Sequence, residues 1–194
     1  MHNPFAGARF LLSVAHPSQL PDGDRPELAF AGRSNAGKSS ALNALCSQKN
    51  LARVSKTPGR TQLLNFFELP QVRLVDLPGY GFADVPEEVR KTWGPLITGY
   101  LRDRENLRGI VLIMDSRRPL TAFDRQMLDW ALEYRRTVHI LLAKADKLTS
   151  SESRKTLAAV QDALGELATA QLFSAPKKTG IPEARTRLQE MIAD

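Results

Sequence analysis

The stretch Gly32-Arg33-Ser34-Asn35-Ala36-Gly37-Lys38-Ser39 fits the pattern G-x-x-x-x-G-K-[ST] at every position. It follows Glu27-Leu28-Ala29-Phe30-Ala31, a short apolar run that reads as a strand, and precedes Ala41-Leu42-Asn43-Ala44-Leu45, which reads as a helix. Glycines let backbone N–H groups turn inward around phosphates, Lys38 supplies a mobile positive charge, and Ser39 offers a hydroxyl to Mg²⁺. The helix dipole favours an anion at the same point. A strand–loop–helix of this kind demands a sheet whose strand ends converge on one ligand. The competing reading is a plain glycine turn, and the loop alone leaves ATP and GTP equally open.

The rest of the chain repeats that rhythm. Strand-like runs at 28–32, 63–69, 72–76, 109–115, 138–144 and 170–174 alternate with helix-like segments, which predicts an α/β fold of three layers, α/β/α, with a mostly parallel sheet. The runs at 63–69 and 72–76 are separated only by Pro70 and Gln71, leaving room for a hairpin. Six strands are therefore expected, one of them antiparallel and at the sheet edge. Residues 1–26 hold one short apolar run, Phe10-Leu11-Leu12-Ser13-Val14, followed by Pro17, Pro21, Asp22, Gly23 and Pro26. They read as an extension packed on a single nucleotide-binding domain spanning 27–194. Thr121 with Asp124, and Thr149 with Glu152, place a hydroxyl three residues before an acid, the signature of a helix start. Phe123, Met127, Trp130 and Tyr134 form one apolar stripe, and Leu157, Val160, Leu164 and Leu167 another. Both are read as core, the aromatic one in preference to a base-stacking surface.

A chain of 194 residues buries a full core without disulfides or structural metals. Its one cysteine, Cys46, closes an apolar helix, so it is read as a small core residue, and lone cysteine usage suits a reducing cytoplasm. No apolar run is long enough to span a bilayer, and the terminal residues 191–194 hold no prenylation box, so no membrane anchor is expected. The formal charge of +6 makes a polyanionic partner beyond the nucleotide an open reading beside a merely solvated cationic surface. The basic residues cluster at Arg53 and 56–60, Arg117-Arg118, Arg135-Arg136 and Lys177-Lys178.

Asp76-Leu77-Pro78-Gly79 follows the strand-like run Val72-Arg73-Leu74-Val75, so the carboxylate of Asp76 can hold Mg²⁺ through water while the Gly79 N–H meets a γ-phosphate. Between this element and the phosphate loop lies Thr57-Pro58-Gly59-Arg60-Thr61, polar and suited to closing on the metal; Thr61 takes that role, with Thr57 as the fallback. Ala143-Lys144-Ala145-Asp146 ends another strand. An aspartate there can accept hydrogen bonds from guanine N1–H and the 2-amino group, a donor pair that adenine lacks. Lys144 would lay its stem along the base, and Phe173-Ser174-Ala175 would offer backbone N–H groups to guanine O6. Singly, Lys144 and Asp146 read equally well as a surface turn, and Ser174 as a capping hydroxyl. Together, in this order and each at a strand end, the elements point to GTP.

On these residues the chain resembles the bacterial EngB (YihA or YsxC) family, in the group of P-loop GTPases that includes TrmE, Era and EngA. The family-typical stretches are 32–39, Thr57-Pro58-Gly59-Arg60-Thr61-Gln62 with Asn65-Phe66-Phe67, Asp76-Leu77-Pro78-Gly79-Tyr80-Gly81, and Lys144-Ala145-Asp146-Lys147-Leu148. The resemblance implies a cytoplasmic, monomeric, Mg²⁺-dependent GTPase that assists assembly of the large ribosomal subunit, with family-level links to cell division and septation. It implies nucleotide contacts from Gly32 to Ser39, from Gly59, Arg60, Thr61, Gln62 and Leu63, from Asp76 to Gly79, from Ala143 to Asp146, and from Phe173 to Ala175. Mg²⁺ would be held by Ser39 and Thr61, with Asp76 through water. Lys38, Thr61, Gly79 and Asn35 would serve catalysis.

One departure qualifies the resemblance, and two further positions bear on mechanism. Ala143 stands where the group usually has Asn or Thr tying the base site to the phosphate loop, so that bond is expected to be lost and nucleotide binding to be looser. Tyr80 follows the D-x-x-G glycine where many signalling GTPases place a water-orienting glutamine, which predicts slow turnover. Asn35 occupies the point at which an asparagine helps ligate K⁺ in related GTPases; it reads equally as a turn residue that tolerates unusual backbone angles. A P-loop phosphotransferase would need an acceptor site in place of x-K-x-D and S-A. A slow or non-hydrolysing GTP-binding scaffold in septum formation is the alternative to the assembly switch.

Overall fold

A computed structural model describes residues 3–52, 63–79 and 87–193, with the backbone alone at 87–93. Among them a seven-stranded sheet runs in the order β1-β3-β4-β2-β5-β6-β7. Its strands are β1 (Arg9–Val14), β2 (Glu27–Gly32), β3 (Leu64–Glu68), β4 (Arg73–Asp76), β5 (Leu107–Asp115), β6 (Thr137–Ala143) and β7 (Thr169–Leu172). The helices are α1 (Lys38–Leu45), α2 (Glu87–Asp103), α3 (Ala122–Glu133), α4 (Ser150–Leu164) and α5 (Ile181–Ala193).

The sheet corrects the expected count of six strands. The apolar run at Phe10 is itself a strand, β1, pairing antiparallel with β3 from Arg9↔Glu68 to Val14↔Leu64. β3 also pairs antiparallel with β4, so the one reversed strand lies second in the sheet and β1 takes the edge. The physical cause is the edge itself: β3 offers a second row of unpaired N–H and C=O groups, and the chain covers it with its own N-terminal segment. Phe10 remains largely exposed, its ring edge-on to Phe67.

The central strands are buried on both faces, which is why they read as unbroken apolar runs. Along β5, Ile110, Leu112 and Met114 pack with Leu96, Ile97 and Leu101 of α2, Met127 and Leu128 of α3, and Val160 and Leu164 of α4. Val111 and Ile113 point the other way, toward Leu42 and Leu45 of α1 and Ala184, Leu188 and Met191 of α5. Cys46 lies in this second layer, and burial pushes its thiol up to about 12. Both sequence-marked helix starts form reciprocal caps: Thr121 Oγ1 accepts from the Asp124 N–H, and Thr149 Oγ1 from the Glu152 N–H.

The apolar stripes need adjustment. In α3 the buried face is Asp124, Met127, Leu128 and Ala131, while Phe123 is 47% exposed. Leu167 is 62% exposed because Gly165, at φ 54°, ends α4 before it. Arg136, counted among the surface cations, instead donates to the carbonyls of Leu101, Arg102, Arg104 and Leu107, closing the C-terminal end of α2.

Candidate nucleotide-binding site

From β2 the chain turns to one side of the sheet through α1 and β3, then to the other through α2 and β5, so β2 and β5 flank the point at which strand order reverses. In open parallel sheets a ligand lies outside the carboxyl ends of the strands at such a point. Asp76, Gly32, Asp115, Ala143 and the segment after Leu172 end β4, β2, β5, β6 and β7 in that spatial order. The phosphate-side residues therefore stand at one end of this rim and the base-side residues at the other.

Gly32 is the last residue of β2 and pairs with Ile113. A Cβ on it would come within 2.8 Å of the Ile113 carbonyl oxygen, so no larger residue fits. The loop then turns through an Ala36 N–H to Arg33 C=O bond of 3.0 Å. Asn35 takes a left-handed conformation at φ 61°, the backbone of the turn reading, which asparagine tolerates better than most residues. Gly37, at φ 113°, caps α1 and sets the first helical N–H groups facing the rim.

Lys38 and Ser39 open α1. The Lys38 ammonium forms a close ion pair with Asp76 Oδ1, both side chains being mostly buried. Parallel pairing puts Asp76 beside Phe30, and the Leu77 N–H bonds the Phe30 carbonyl at 2.9 Å, which holds Leu77-Pro78-Gly79 against the loop. A Cβ on Gly79 would stand 3.4 Å from Ser34 Cα. The two phosphate-side elements are thus in contact. Thr57 to Gln62 and Tyr80 lie outside the described residues, and so do the roles assigned to Gly59, Arg60, Thr61 and Gln62; Leu63 is described and half-buried.

At the other end, Asp146 sits in a short 3-10 turn after β6. Its Oδ1 accepts a 2.6 Å hydrogen bond from the Ser174 hydroxyl, and that bond holds the carboxyl below its usual range. Ser174 is fully buried. Its N–H bonds the Thr179 carbonyl and its hydroxyl also accepts from the Lys177 N–H at 3.2 Å. Ser174 thus orients Asp146 through its side chain, a relation that S-A spacing does not disclose, while its own N–H is already engaged. The Ala145 N–H bonds the Phe173 carbonyl at 3.1 Å, and the Phe173 N–H bonds Leu142, so the two base-side loops are locked together.

Lys144 leaves β6 in a left-handed conformation, φ 59°. Its ammonium donates to the Asn35 carbonyl at 2.5 Å and to Asp115 Oδ2 at 3.0 Å. Ala143 cannot make a side-chain tie between base loop and phosphate loop, and its neighbour Lys144 makes a different one. Ala143 presents only a methyl group, 3.4 Å from where a Cβ of Gly37 would stand. Asp115 belongs to none of the motifs; its one signal in the sequence is that, like Asp76, it is an acid closing an apolar strand. Arg117 grips it with Nε at 2.9 Å and Nη2 at 2.7 Å. That contact, followed by Lys144, holds the Asp115 carboxyl far below the ordinary carboxylate range.

Residues 27–144 match the family described as 50S ribosome-binding GTPase. A probable GTP-binding protein EngB of Aromatoleum aromaticum is 55% identical over 188 residues, covering 95% of this chain and 87% of that protein. The chain belongs to the EngB family of GTP-binding proteins. It is accordingly a GTPase of the P-loop class. Another EngB relative, from Coxiella burnetii, is 50% identical over 187 residues, covering 94% of this chain and 91% of its own. The EngB fold recurs in the crystal structure of a probable GTP-binding protein engB, with a TM-score of 0.71 at 24% identity over 86% of this chain and 98% of that one. Aquifex aeolicus Era bound to GDP and AlF4⁻ has a TM-score of 0.69 at 18% identity over 87% of this chain and 57% of that one. No helix among the described residues is long and apolar enough to cross a membrane.

Proposed function

We propose that this GTPase is a molecular switch in assembly of the large ribosomal subunit, hydrolysing GTP to GDP and phosphate to reset itself, and that it shares the family-level link to cell division and septation. The observation that carries the guanine end of this reading is Asp146, whose carboxylate Ser174 fixes at the rim. A carboxylate so held accepts from N1–H and the 2-amino group of guanine and is left unpaired by adenine. Ala175 N–H is then the donor for guanine O6, because the Ser174 N–H bonds Thr179.

At the phosphate end, loop N–H groups from Arg33 to Ser39 and the Lys38 ammonium would receive the β- and γ-phosphates. The oxygen donors there, the Ser39 hydroxyl and the Asp76 carboxylate that pairs with the adjacent Lys38, fit a hard divalent ion that keeps several waters. Mg²⁺ would be held by Ser39 and Thr61 directly and by Asp76 through water, and would supply charge neutralisation on the phosphates. Lys38 would exchange its Asp76 partner for phosphate oxygens on binding. Tyr80 in place of a glutamine supports slow unaided turnover. GTP would order the segments around Thr61 and after Gly79 into a surface that the precursor subunit recognises.

The domain reading proposed with it is a GTP-binding unit from 27 to 194 bearing an N-terminal extension, 1–26, that docks through β1. A monomer acting in the cytoplasm is part of the same proposal. Exposed Arg117, Arg118, Lys177 and Lys178 all follow carboxyl ends of strands and with Arg53, Lys56 and Arg60 would meet ribosomal RNA phosphates.

Gradient sedimentation of cell extract with GDP or a non-hydrolysable GTP analogue tests the switch. Migration with large-subunit precursors only in the triphosphate arm is expected; identical profiles in both arms would overturn it. Phosphate release that ignores added large-subunit particles would favour the septation scaffold.

A further inference from the structure

Between the two ends of the rim lies a charged group that no motif claims. Asp115 ends β5, the strand between the phosphate-loop strand β2 and the base-loop strand β6. It is 7% exposed and its register partner on β6 is Ala143. The Ser116 N–H bonds the Ala143 carbonyl at 2.9 Å, so the carboxylate cannot drift from the base loop. Four donors converge on its two oxygens. The Arg117 N–H and Nε reach Oδ1 at 3.1 and 2.9 Å, and Arg117 Nη2 and Lys144 Nζ reach Oδ2 at 2.7 and 3.0 Å.

We propose that Asp115 is a positioning residue for nucleotide binding: clamped by Arg117, it holds the Lys144 ammonium on the Asn35 carbonyl and so couples the base loop to the phosphate loop. The proposal rests on the GTP-binding reading of the site. Lys144 stands on a flexible four-carbon stem, and a single carbonyl acceptor would leave its ammonium free to swing toward solvent. A buried carboxylate on the opposite side restricts it to one placement through charge-assisted hydrogen bonds. The phosphate loop then keeps its turn at Asn35 before nucleotide arrives, which lowers the ordering cost of binding. Asp115 itself touches no nucleotide atom in this scheme; its effect passes entirely through Lys144.

The test is a double-mutant cycle on GDP affinity, read by calorimetry, with the melting temperature of each nucleotide-free variant measured alongside. Wild-type protein is expected to bind GDP. Asp115→Asn, which keeps the shape and loses the charge, is expected to weaken binding about tenfold, and Lys144→Met to weaken it at least as much. In the Lys144→Met background, adding Asp115→Asn is expected to change affinity less than twofold. Equal losses in both backgrounds would mean a general structural role and would overturn the proposal, as would no loss from Asp115→Asn in either. Asp115→Glu, carrying the charge at a longer reach, is expected to recover part of the affinity; a loss equal to that of Asn counts against the charge-based account. Failure of the wild type itself to bind GDP would instead overturn the underlying reading of the site, and the proposal with it.

Discussion

The Ser174 hydroxyl donates to Asp146 Oδ1 at 2.6 Å and joins two loops that are 28 residues apart in the chain. A hydrogen bond to a charged acceptor contributes about 1.5–3 kcal/mol. Replacing Ser174 with Ala should therefore weaken GDP and GTP binding by roughly tenfold or more and narrow the preference over ATP, because an unheld carboxylate no longer meets both guanine donors. Competition calorimetry with the three nucleotides measures this. Unchanged guanine affinity would show that the turn around Asp146 needs no help from Ser174.

Ala143 makes a second case. Its methyl group lies against Gly37, so Ala143→Thr would bring a hydroxyl to the phosphate loop. Since Lys144 already ties the loops through Asn35, the gain in GDP affinity should be modest, on the order of one extra hydrogen bond, or about fivefold. Stopped-flow dissociation rates of a fluorescent GDP analogue should fall in proportion. A gain of several hundredfold would mean that the Lys144 tie contributes little.

Asn35 separates two readings of the phosphate loop. If its side chain helps hold K⁺ beside the β- and γ-phosphates, hydrolysis should run several times faster in KCl than in NaCl at equal ionic strength, and Asn35→Ala should erase the difference. If its left-handed backbone, φ 61°, is its whole role, the two salts should give equal rates, and Asn35→Gly should be tolerated.

His139 predicts a stability change with pH. It is buried on β6, and desolvation lowers its pKa from 6.5 to about 4. The Gln171 amide nitrogen donates to the Gly180 carbonyl, so its oxygen faces His139 Nε2, which carries the proton, and Nδ1 accepts from the Thr169 hydroxyl. Below pH 6.5 the unfolded chain binds a proton that the folded one refuses. Stability from this group is therefore complete above pH 6.5 and lost as pH falls toward 4, by about 3 kcal/mol in total. Denaturant unfolding at pH 7 and pH 4.5 should show a steeper loss in the wild type than in His139→Gln.

Glu27 marks the far end of β2 from the nucleotide. It is fully buried and receives Arg104 Nη2 at 2.5 Å, Arg104 Nε and Tyr100 OH at 2.9 Å, with Arg73 Nη1 at 3.5 Å. Glu27→Ala removes the carboxylate partner of the buried Arg73 and the half-buried Arg104, which keep only carbonyl acceptors at Pro21 and Asp22, and should cost about 3 kcal/mol. The folded fraction should still bind GDP with little change, since the substitution lies at the opposite end of the sheet; a parallel loss of affinity would contradict that separation.

Much of this was legible residue by residue. The phosphate loop, D-x-x-G and x-K-x-D are short because each must fit one strand end and one ligand group, so their chemistry is local and their spacing visible. Unbroken apolar runs at β5 and β6 announced strands covered on both faces, and hydroxyl–acid pairs announced α3 and α4. β1 was less legible: a single apolar run followed by prolines looks the same whether it packs loosely or completes a sheet, and only the open edge of β3 decides. Phe123 was misplaced because a three- and four-residue stripe fixes the period of a helix but not which side of it meets the sheet.

The sequence by itself determined the class of fold and the placing of G-x-x-x-x-G-K-[ST], D-x-x-G and x-K-x-D at strand ends, because those follow from local backbone and side-chain type. The tertiary structure decided who holds whom: Ser174 on Asp146, Lys38 on Asp76, and Lys144 between Asp115 and Asn35. These contacts join residues 28 to 109 positions apart, and each arises where parallel strands bring their carboxyl ends to one rim. No spacing along the chain encodes that meeting, since it depends on strand order and register.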